Sequence, residues 1–195
     1  MSGQAVPPGA VVTAAAADLL SRLCERHGPL MFHQSGGCCD GSSPMCYPLG
    51  DFLVGDRDVL LGILEVGDGV PVWISGPQYE AHYEGDQRTQ LVIDVVPGRG
   101  GGFSLEAPEG VRFLSRGRVF TGQEKALLAD APLITGAAFE RGARPSIRGG
   151  IVKLGFGVEA GVEAGVEAGV EAGVEADADA GPEDGHAEPC ALPLG

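Results

Sequence analysis

The stretch TQLVIDVV, residues 89–96, is the strongest β-strand pattern in the sequence and sets the fold class. Leu91, Ile93 and Val95 alternate with a second set of side chains, in which Asp94 stands between two valines. A period of two residues sends successive side chains to opposite faces of a sheet. We therefore predict a strand here, and the segments around it are read for partner strands.

Apolar or alternating runs on both sides of this stretch predict about five further strands. Two of them, Val59–Leu64 and Val70–Ser75, flank a turn at Gly67-Asp68-Gly69 and predict a hairpin. The connections between consecutive strands are too short for helical crossovers, which favours a mainly antiparallel sheet. The remaining candidates are Leu30–His33, Phe103–Leu105 and Val111–Ser115, with a short edge at Arg118–Phe120.

A helix is predicted ahead of these strands, from Thr13 to His27. Thr13 is a typical N-cap residue, Leu19 and Leu23 fall on one apolar face, and the Gly28-Pro29 pair ends the helix. The predicted fold class is therefore α+β, with one N-terminal helix packed on a mainly antiparallel sheet of about six strands and a disordered C-terminal tail.

The composition changes along the chain predict four segments. Residues 1–12 are a flexible leader, residues 13–125 form the α+β domain, and residues 126–156, rich in Gly, Ala and Arg, form a poorly ordered extension. One short helix is predicted at Gln123–Ala129. From residue 157 the tetrapeptide GVEA repeats five times, which would put a glycine in every turn of a helix and glutamates at i,i+4. Residues 157–195 are therefore predicted to be a disordered acidic tail.

The net charge of −14 belongs mostly to that tail. Ten of the 27 acidic residues lie between Glu159 and Glu188, which leaves 17 acids against 13 bases in residues 1–156. No basic stripe is available for nucleic acid, and an anionic membrane surface is disfavoured for the same reason. The first residues, MSGQAVPPGA, lack a basic targeting region, and no run approaches the ~20 apolar residues of a membrane span. We expect a cytoplasmic protein with reduced thiols.

The stretch HQSGGCCDGSSPMC, residues 33–46, is the main candidate for chemistry. Cys38 and Cys39 are adjacent and Cys46 follows seven residues later, which is not the C-x2-C spacing of a zinc ribbon. The glycines nevertheless allow the chain to wrap the three cysteines around one soft metal, Zn, Cu or Fe, with His33 or Asp40 as a further ligand.

Two other interpretations of the same stretch stay open. The glycines also favour an anion-binding turn in which Cys38 or Cys39 is a reactive thiol and a candidate catalytic nucleophile. The stretch is equally consistent with a tight turn whose cysteines are small buried residues. No organic cofactor is predicted by either interpretation.

Two further groups of residues are weaker candidates. The stretch PGRGGGFSLE, residues 97–106, lacks the lysine of a P-loop and the third glycine of a dinucleotide-binding loop, so a close-packed turn is favoured, with Arg99 free to meet an anion. Asp94 is interpreted as a solvent-facing carboxylate or as the partner of an arginine. Acid–base roles for Asp94, Glu106 or His82 are the alternative.

The segments GGCCDGSSPMC, DVLLG, TQLVIDVVPGRGGGFSLE and RFLSRGRVF together resemble the DUF779 family of bacterial proteins, over roughly Leu30–Thr121. The resemblance implies a small cytosolic α+β protein. Members are often encoded beside aldehyde dehydrogenases, which implies an accessory role in aldehyde or alcohol oxidation and an aldehyde dehydrogenase as partner. It implies no activity, cofactor or catalytic residue. In the segment QYEAHYEGDQRTQL this chain has His82 near the family's Trp and Arg88 near the family's His.

Three functions follow from these observations. The leading one is an accessory protein of aldehyde or alcohol oxidation with a metal- or thiol-bearing loop formed by Cys38, Cys39 and Cys46, supported by Asp40 and His33. The second is a small enzyme that uses Cys38 or Cys39 as a nucleophile on aldehyde adducts. The third is a non-catalytic module that binds an aldehyde dehydrogenase.

Overall fold

The strand that contains residues 89–96 is one of the two longest in the domain. The computed structural model describes residues 6–36, 43–85, 88–145 and 149–152. In these ranges the helices are α1 (Ala14–His27), α2 (Gly76–His82), α3 (Gly122–Ala129) and α4 (Gly136–Glu140). The strands are β1 (Ala10–Thr13), β2 (Leu30–Gln34), β3 (Met45–Pro48), β4 (Val59–Leu64), β5 (Val70–Ile74), β6 (Thr89–Pro97), β7 (Val111–Val119) and β8 (Ile151–Val152).

The strands form two four-stranded sheets, with orders β7-β6-β1-β8 and β3-β2-β5-β4. The α+β class is confirmed, but the prediction of one mainly antiparallel sheet is wrong in detail. Strand β1 pairs in parallel with both β6 and β8, and β2 pairs in parallel with β5. Each parallel partner is distant in sequence, as in Ala10 opposite Leu91, so the lengths of the consecutive connections did not limit these pairings.

Helix α1 has the ends that the sequence predicts. The Thr13 side chain accepts a hydrogen bond from the backbone N–H of Ala16, and the chain leaves the helix at Gly28, whose φ is +79°. Leu19, Leu20 and Leu23 are buried in the main hydrophobic core. The apolar face of α1 therefore packs in the main core, and the helix joins the end of β1 to the start of β2.

Three local predictions need correction. Residues 103–105 are in turns that lead into a 3₁₀ turn at Ala107–Glu109, and they form no strand. Strand β7 runs through Val119 and so includes most of the short edge predicted separately at Arg118–Phe120. Strands β1 and β3 and helix α2 were not predicted, because each is at most seven residues long and has no extended periodic pattern.

The segment predicted to be a poorly ordered extension packs on the sheets in its described part. Leu128 and Ile134 are buried, and the N–H of Leu60 donates to the carbonyl oxygen of Ile134. Strand β8 adds to the edge of β1. The repeat tail, residues 157–195, lies outside the described residues, and its predicted disorder stays a prediction. Over the ranges that the structure describes, no helix has the length and apolar character needed to cross a membrane.

Candidate functional site

The Cys-rich stretch connects two neighbouring antiparallel strands. His33 in β2 lies opposite Met45 in β3, so the connection begins and ends at one edge of the sheet. Cys38, Cys39 and Asp40 lie outside the described residues, and the predictions made for them stay predictions. The described neighbours of this connection define the surroundings in which those residues act.

The two described members of the predicted ligand set, His33 and Cys46, lie on opposite faces of the sheet. Cys46 is opposite Phe32, and both belong to the main core. Burial raises the pKa of the Cys46 thiol, and the nearby Glu106 carboxylate raises it further. Cys46 is therefore a protonated core thiol, on the face away from the His33 ring.

His33 is part of a hydrogen-bonded chain of three side chains. Its Nδ1 lies 2.9 Å from Ser35 Oγ, and its Nε2 lies 2.9 Å from Asp58 Oδ2. The same Asp58 oxygen accepts the backbone N–H of Gly55 at 2.7 Å, and the Phe52 ring stacks on the imidazole with 4.2 Å between ring centroids. Carboxylate, backbone and aromatic ring thus hold the imidazole in one orientation.

The protonation of the hydrogen-bonded His33, Ser35 and Asp58 side chains follows from their environment. Burial lowers the pKa of His33, and the hydrogen bond and charge of Asp58 oppose that shift only in part, so the imidazole is neutral at neutral pH. A carboxylate can only accept, so Nε2 carries the proton and donates it to Asp58. Nδ1 is then an acceptor, and the Ser35 hydroxyl donates to it.

The glycine-rich stretch packs on the other side of β3. The N–H of Cys46 donates to Ser104 Oγ at 2.8 Å, and the Ser104 hydroxyl donates in turn to Glu106. The N–H of Leu105 donates to the carbonyl oxygen of Cys46, and the N–H of Phe113 donates to Glu106 Oε1 at 3.4 Å. This stretch is a close-packed turn tied to β3, as the sequence favoured.

Glu106 is the most deeply buried carboxyl group among the described residues, with 1% of its surface exposed. Burial raises its pKa, against the hydrogen bonds from Ser104 and the backbone. Arg99, Arg112 and Ser43 line a cleft of about 30 Å³ with it. Two arginines therefore line the same cleft as Ser43, the first described residue after the Cys-rich connection.

Of the remaining predicted candidates, Asp94 has structural partners and His82 is exposed. Asp94 accepts hydrogen bonds from Thr13 Oγ1 at 2.9 Å and from Arg116 Nε at 2.7 Å, which confirms the interpretation of a paired carboxylate. His82 is exposed at the end of α2. Arg88 donates to the Tyr79 hydroxyl and to the carbonyl oxygen of Leu128.

One feature that the sequence did not indicate is an apolar cavity of about 550 Å³ on the outer face of the second sheet. Met31 and Trp73 form its floor, and Phe52, Leu53 and Phe139 form its walls. Phe52 is shared, because the same ring stacks on His33. Residues 31 and 33 alternate with Phe32 along β2, so the cavity and the His33 chain lie on one face of this strand.

No three side chains of His, Cys, Asp or Glu converge in a metal-binding group within the ranges described, which omit Cys38, Cys39 and Asp40. A site made of His33 and Cys46 would need a different arrangement, because both nitrogens of His33 are hydrogen-bonded and Cys46 is in the core. The metal prediction therefore depends on the residues between 37 and 42.

The fold and the candidate site define an α+β domain of two four-stranded sheets, with a hydrogen-bonded Ser–His–Asp chain where a Cys-rich connection leaves β2. The family model described as domain of unknown function DUF779 matches residues 19–119, and the chain belongs to this family. No curated protein and no solved structure matches the chain significantly.

Proposed function

We propose that this chain is a small accessory protein of aldehyde or alcohol oxidation whose Cys-rich connection presents Cys38 and Cys39 as reactive thiols. The observation that carries the proposal is the setting of this connection. It begins just after the neutral His33, and where the described chain resumes at Ser43 it lies beside Arg99 and Arg112. Cationic neighbours stabilise a thiolate over a thiol. The aldehyde pathway comes from the family resemblance.

The geometry favours a reactive thiol over a metal centre as the functional group of the Cys-rich connection. Cys46 is a protonated thiol in the core, and both nitrogens of His33 already have partners. These two residues would have to leave their positions to complete a tetrahedral site. With His33 and Cys46 engaged elsewhere, Cys38, Cys39 and Asp40 remain as predicted ligands, one fewer than the four that structural zinc takes from a protein.

A thiol at this place reacts with an aldehyde without any further reagent. The sulfur of Cys38 or Cys39 forms a bond to the carbonyl carbon, and the thiol proton passes to the carbonyl oxygen. The product is a hemithioacetal, a covalent but reversible carrier of the aldehyde. Such a carrier is a suitable accessory to a dehydrogenase, because it holds a reactive substrate until the oxidising enzyme takes it.

Alkylation with iodoacetamide at pH 6.5 tests this proposal on the full chain. A thiol with an ordinary pKa near 8.5 is only about 1% ionised there, whereas one with a pKa near 7 is roughly a quarter ionised, so a labelling rate more than ~10-fold higher is expected. Peptide mass spectrometry resolves the cysteines. We expect Cys38 or Cys39 to react fastest and the buried Cys46 to stay unlabelled. Rates at both equal to that of Cys190 would contradict the proposal.

Metal analysis separates the thiol proposal from the metal alternative. The protein is purified without a metal-binding tag, and Zn, Cu and Fe are measured per chain. Near-stoichiometric metal that is lost in Cys38→Ser/Cys39→Ser would favour a metal centre, whereas less than about a tenth of an equivalent would exclude one. Cys46→Ser is the matched control, because it removes a cysteine that lies in the core.

Co-purification with an aldehyde dehydrogenase tests the accessory role. The test compares the full chain with Cys38→Ala/Cys39→Ala. Binding by both would favour a docking module whose surface lies elsewhere, and binding by neither would remove the dehydrogenase as the direct partner. Binding that is lost only when the two cysteines are replaced would link the partner to the Cys-rich connection.

A further inference from the structure

We propose that Ser35, His33 and Asp58 form a nucleophile, its base and the group that orients the base, and that this chain accepts acyl groups from small carboxylic esters. This activity is independent of the thiol chemistry of Cys38 and Cys39. It is a second site at the same edge of the sheet, assigned from described residues alone.

The order of the hydrogen bonds is the first argument. Ser35 Oγ lies 2.9 Å from one imidazole nitrogen, and Asp58 Oδ2 lies 2.9 Å from the other. A neutral imidazole held in this way takes the serine proton on one nitrogen while the carboxylate stabilises the resulting cation on the other. In serine proteases Nε2 of the histidine faces the serine and Nδ1 faces the aspartate, whereas here the two nitrogens are exchanged. Such a triad is defined by its geometry and by the role of each residue, and its order in the sequence is not decisive.

Accessibility is the second argument. Ser35 is exposed, whereas His33 is 3% exposed and lies beneath it. The hydroxyl is therefore open to a substrate, while the base is shielded from water by protein and by the Phe52 ring. A hydrogen bond with a purely structural purpose needs no such exposure of the donor.

The position of Gln78 supplies the third argument. Gly36, next to Ser35, has a φ of +79°, and a Cβ added there would lie 2.5–2.6 Å from the side-chain atoms of Gln78, including Nε2. The backbone after the serine therefore comes close to an amide only because residue 36 is glycine. An amide N–H close to the residue that follows the nucleophile is suited to stabilise the oxyanion of a tetrahedral intermediate.

The proposed step balances without any further reagent. Ser35 Oγ forms a bond to the ester carbonyl carbon, and its proton goes to His33 Nδ1. The bond from that carbon to the alkoxy group breaks, and the alkoxy oxygen takes the proton from His33. Water then attacks the acyl-serine by the same route and releases the carboxylic acid.

The neighbouring cavity indicates the class of ester. The apolar cavity of about 550 Å³ is lined by Phe52, the ring that also stacks on His33. Its other walls include Met31 and Trp73. Cavities of this size and lining bind small apolar groups, so esters with a short hydrocarbon acyl chain are the expected substrates.

Covalent labelling with a fluorophosphonate probe tests the assignment directly, because activated serines displace the fluoride and become phosphonylated. The background is Cys38→Ala/Cys39→Ala, so that thiols cannot contribute and failure of the thiol proposal does not affect the result. We expect one adduct, located on Ser35 by peptide mass spectrometry, and no adduct in Ser35→Ala. Labelling of Ser35 that is absent from both this variant and the wild-type chain, or that is equal in Ser35→Ala, would overturn the proposal.

Variants distinguish a catalytic chain from a structural hydrogen bond. Asp58→Asn should lower the labelling rate and the hydrolysis of p-nitrophenyl butyrate at least ~10-fold, because the imidazole loses the group that fixes its tautomer. Gln78→Ala should lower ester turnover while Ser35 stays reactive. Ser21→Ala, at an exposed serine bonded to the backbone of α1, is the matched control and should change nothing.

Folding is checked in each variant from the far-UV circular dichroism and from the fluorescence of Trp73, the single tryptophan. If Asp58→Asn does not fold, Ser35→Ala still decides the question, since it removes an exposed hydroxyl. Butyrate hydrolysis that persists unchanged in Ser35→Ala would refute a role for this serine in the reaction.

Discussion

Replacement of Ser104 by alanine tests the hydrogen-bonded link between β3 and the glycine-rich turn. Ser104 is 4% exposed, and its hydroxyl is both acceptor and donor. It accepts the N–H of Cys46 at 2.8 Å and donates to the Glu106 carboxyl group. Alanine removes both bonds and leaves a buried N–H and a buried carboxylate oxygen without their partner.

The expected loss follows from the cost of unsatisfied buried groups. Each of the two partners left without its bond costs about 1–3 kcal/mol, so we expect the free energy of unfolding to fall by ~2–6 kcal/mol. In a domain of this size each kcal/mol lowers Tm by roughly 2–4 °C. The expected loss should also grow with pH. Without the Ser104 hydroxyl the pKa of Glu106 rises further, and a carboxyl group with a raised pKa destabilises the folded state as it ionises.

Urea unfolding followed by Trp73 fluorescence measures both effects at pH 5 and pH 8. Trp73 is the single tryptophan and is 3% exposed, so its emission reports loss of the packed sheet. The matched control is Ser115→Ala, since that hydroxyl is only half-buried and its 3.4 Å bond to Gln34 is long. A loss below about 1 kcal/mol, or an equal loss at both pH values, would refute this account of the Ser104 network.

Three further predictions concern single positions. Glu106→Gln should gain stability relative to the wild type as pH rises. The stability contributed by the wild-type carboxyl group is fully present below pH 4.5 and is lost as pH rises through its raised folded pKa. Urea unfolding from pH 4.5 to 8 measures the difference between the two proteins, and a difference that stays constant contradicts the prediction. Burial alone would raise the pKa of Asp94, but hydrogen bonds from Arg116 and Thr13 hold it below 3.8. Arg116→Met should therefore cost at most ~1 kcal/mol at pH 7, and the cost should shrink as pH falls below 3.8. A cost in the same assay that stays constant over this range speaks against the ion pair. Gly149→Ala should cost ~1–3 kcal/mol, because a Cβ there would lie 1.9 Å from a backbone oxygen of β1, whereas Gly150→Ala, with its nearest contact at 3.5 Å, should be close to neutral; thermal unfolding compares the two, and equal Tm values contradict the packing argument.

The elements that the sequence predicted well are those with a strong local pattern. The alternation of Leu91 and Ile93, the capped helix after Thr13 and the hairpin around Gly67 depend on residues close together in the chain. Strand β1 has four residues, Ala10–Thr13, and runs directly into the alanines of α1, so its composition looks like the start of a helix. Its strand identity comes from its pairing with β6 and β8.

The arrangement of the sheets was out of reach for a related reason. Consecutive connections limit which neighbouring strands can pair, but they say nothing about partners 80 residues apart, as in Ala10 and Leu91. Strand β1 pairs with β6 and β8, which lie far along the chain, and no short-range sequence pattern indicates these partners. The class α+β was predictable, whereas the division into two sheets depends on these long-range pairings.

The candidate site shows the same division between local and long-range information. The sequence marked His33 because it stands beside three cysteines, and on that evidence it was grouped with Cys46 as a metal ligand. Strand geometry separates them, since one residue along β2 changes the face of the sheet. The partner of His33 is instead Asp58, 25 residues away at the start of the DVLLG segment, for which no role was predicted.

The Ser35–His33–Asp58 group and the Cys-rich connection belong to the same hairpin, but we expect them to act independently. Alternation along β2 sends His33 to the face that carries the apolar cavity and sends Phe32 and Gln34 to the other, and Ser35, just after the strand, contacts the His33 ring. A substitution at Cys38 or Cys39 leaves this alternation intact, whereas Asp58→Asn leaves the cysteines intact. If loss of the thiols abolished Ser35 labelling in a folded protein, the two groups would act as one site, and the independence argued from β2 would be wrong.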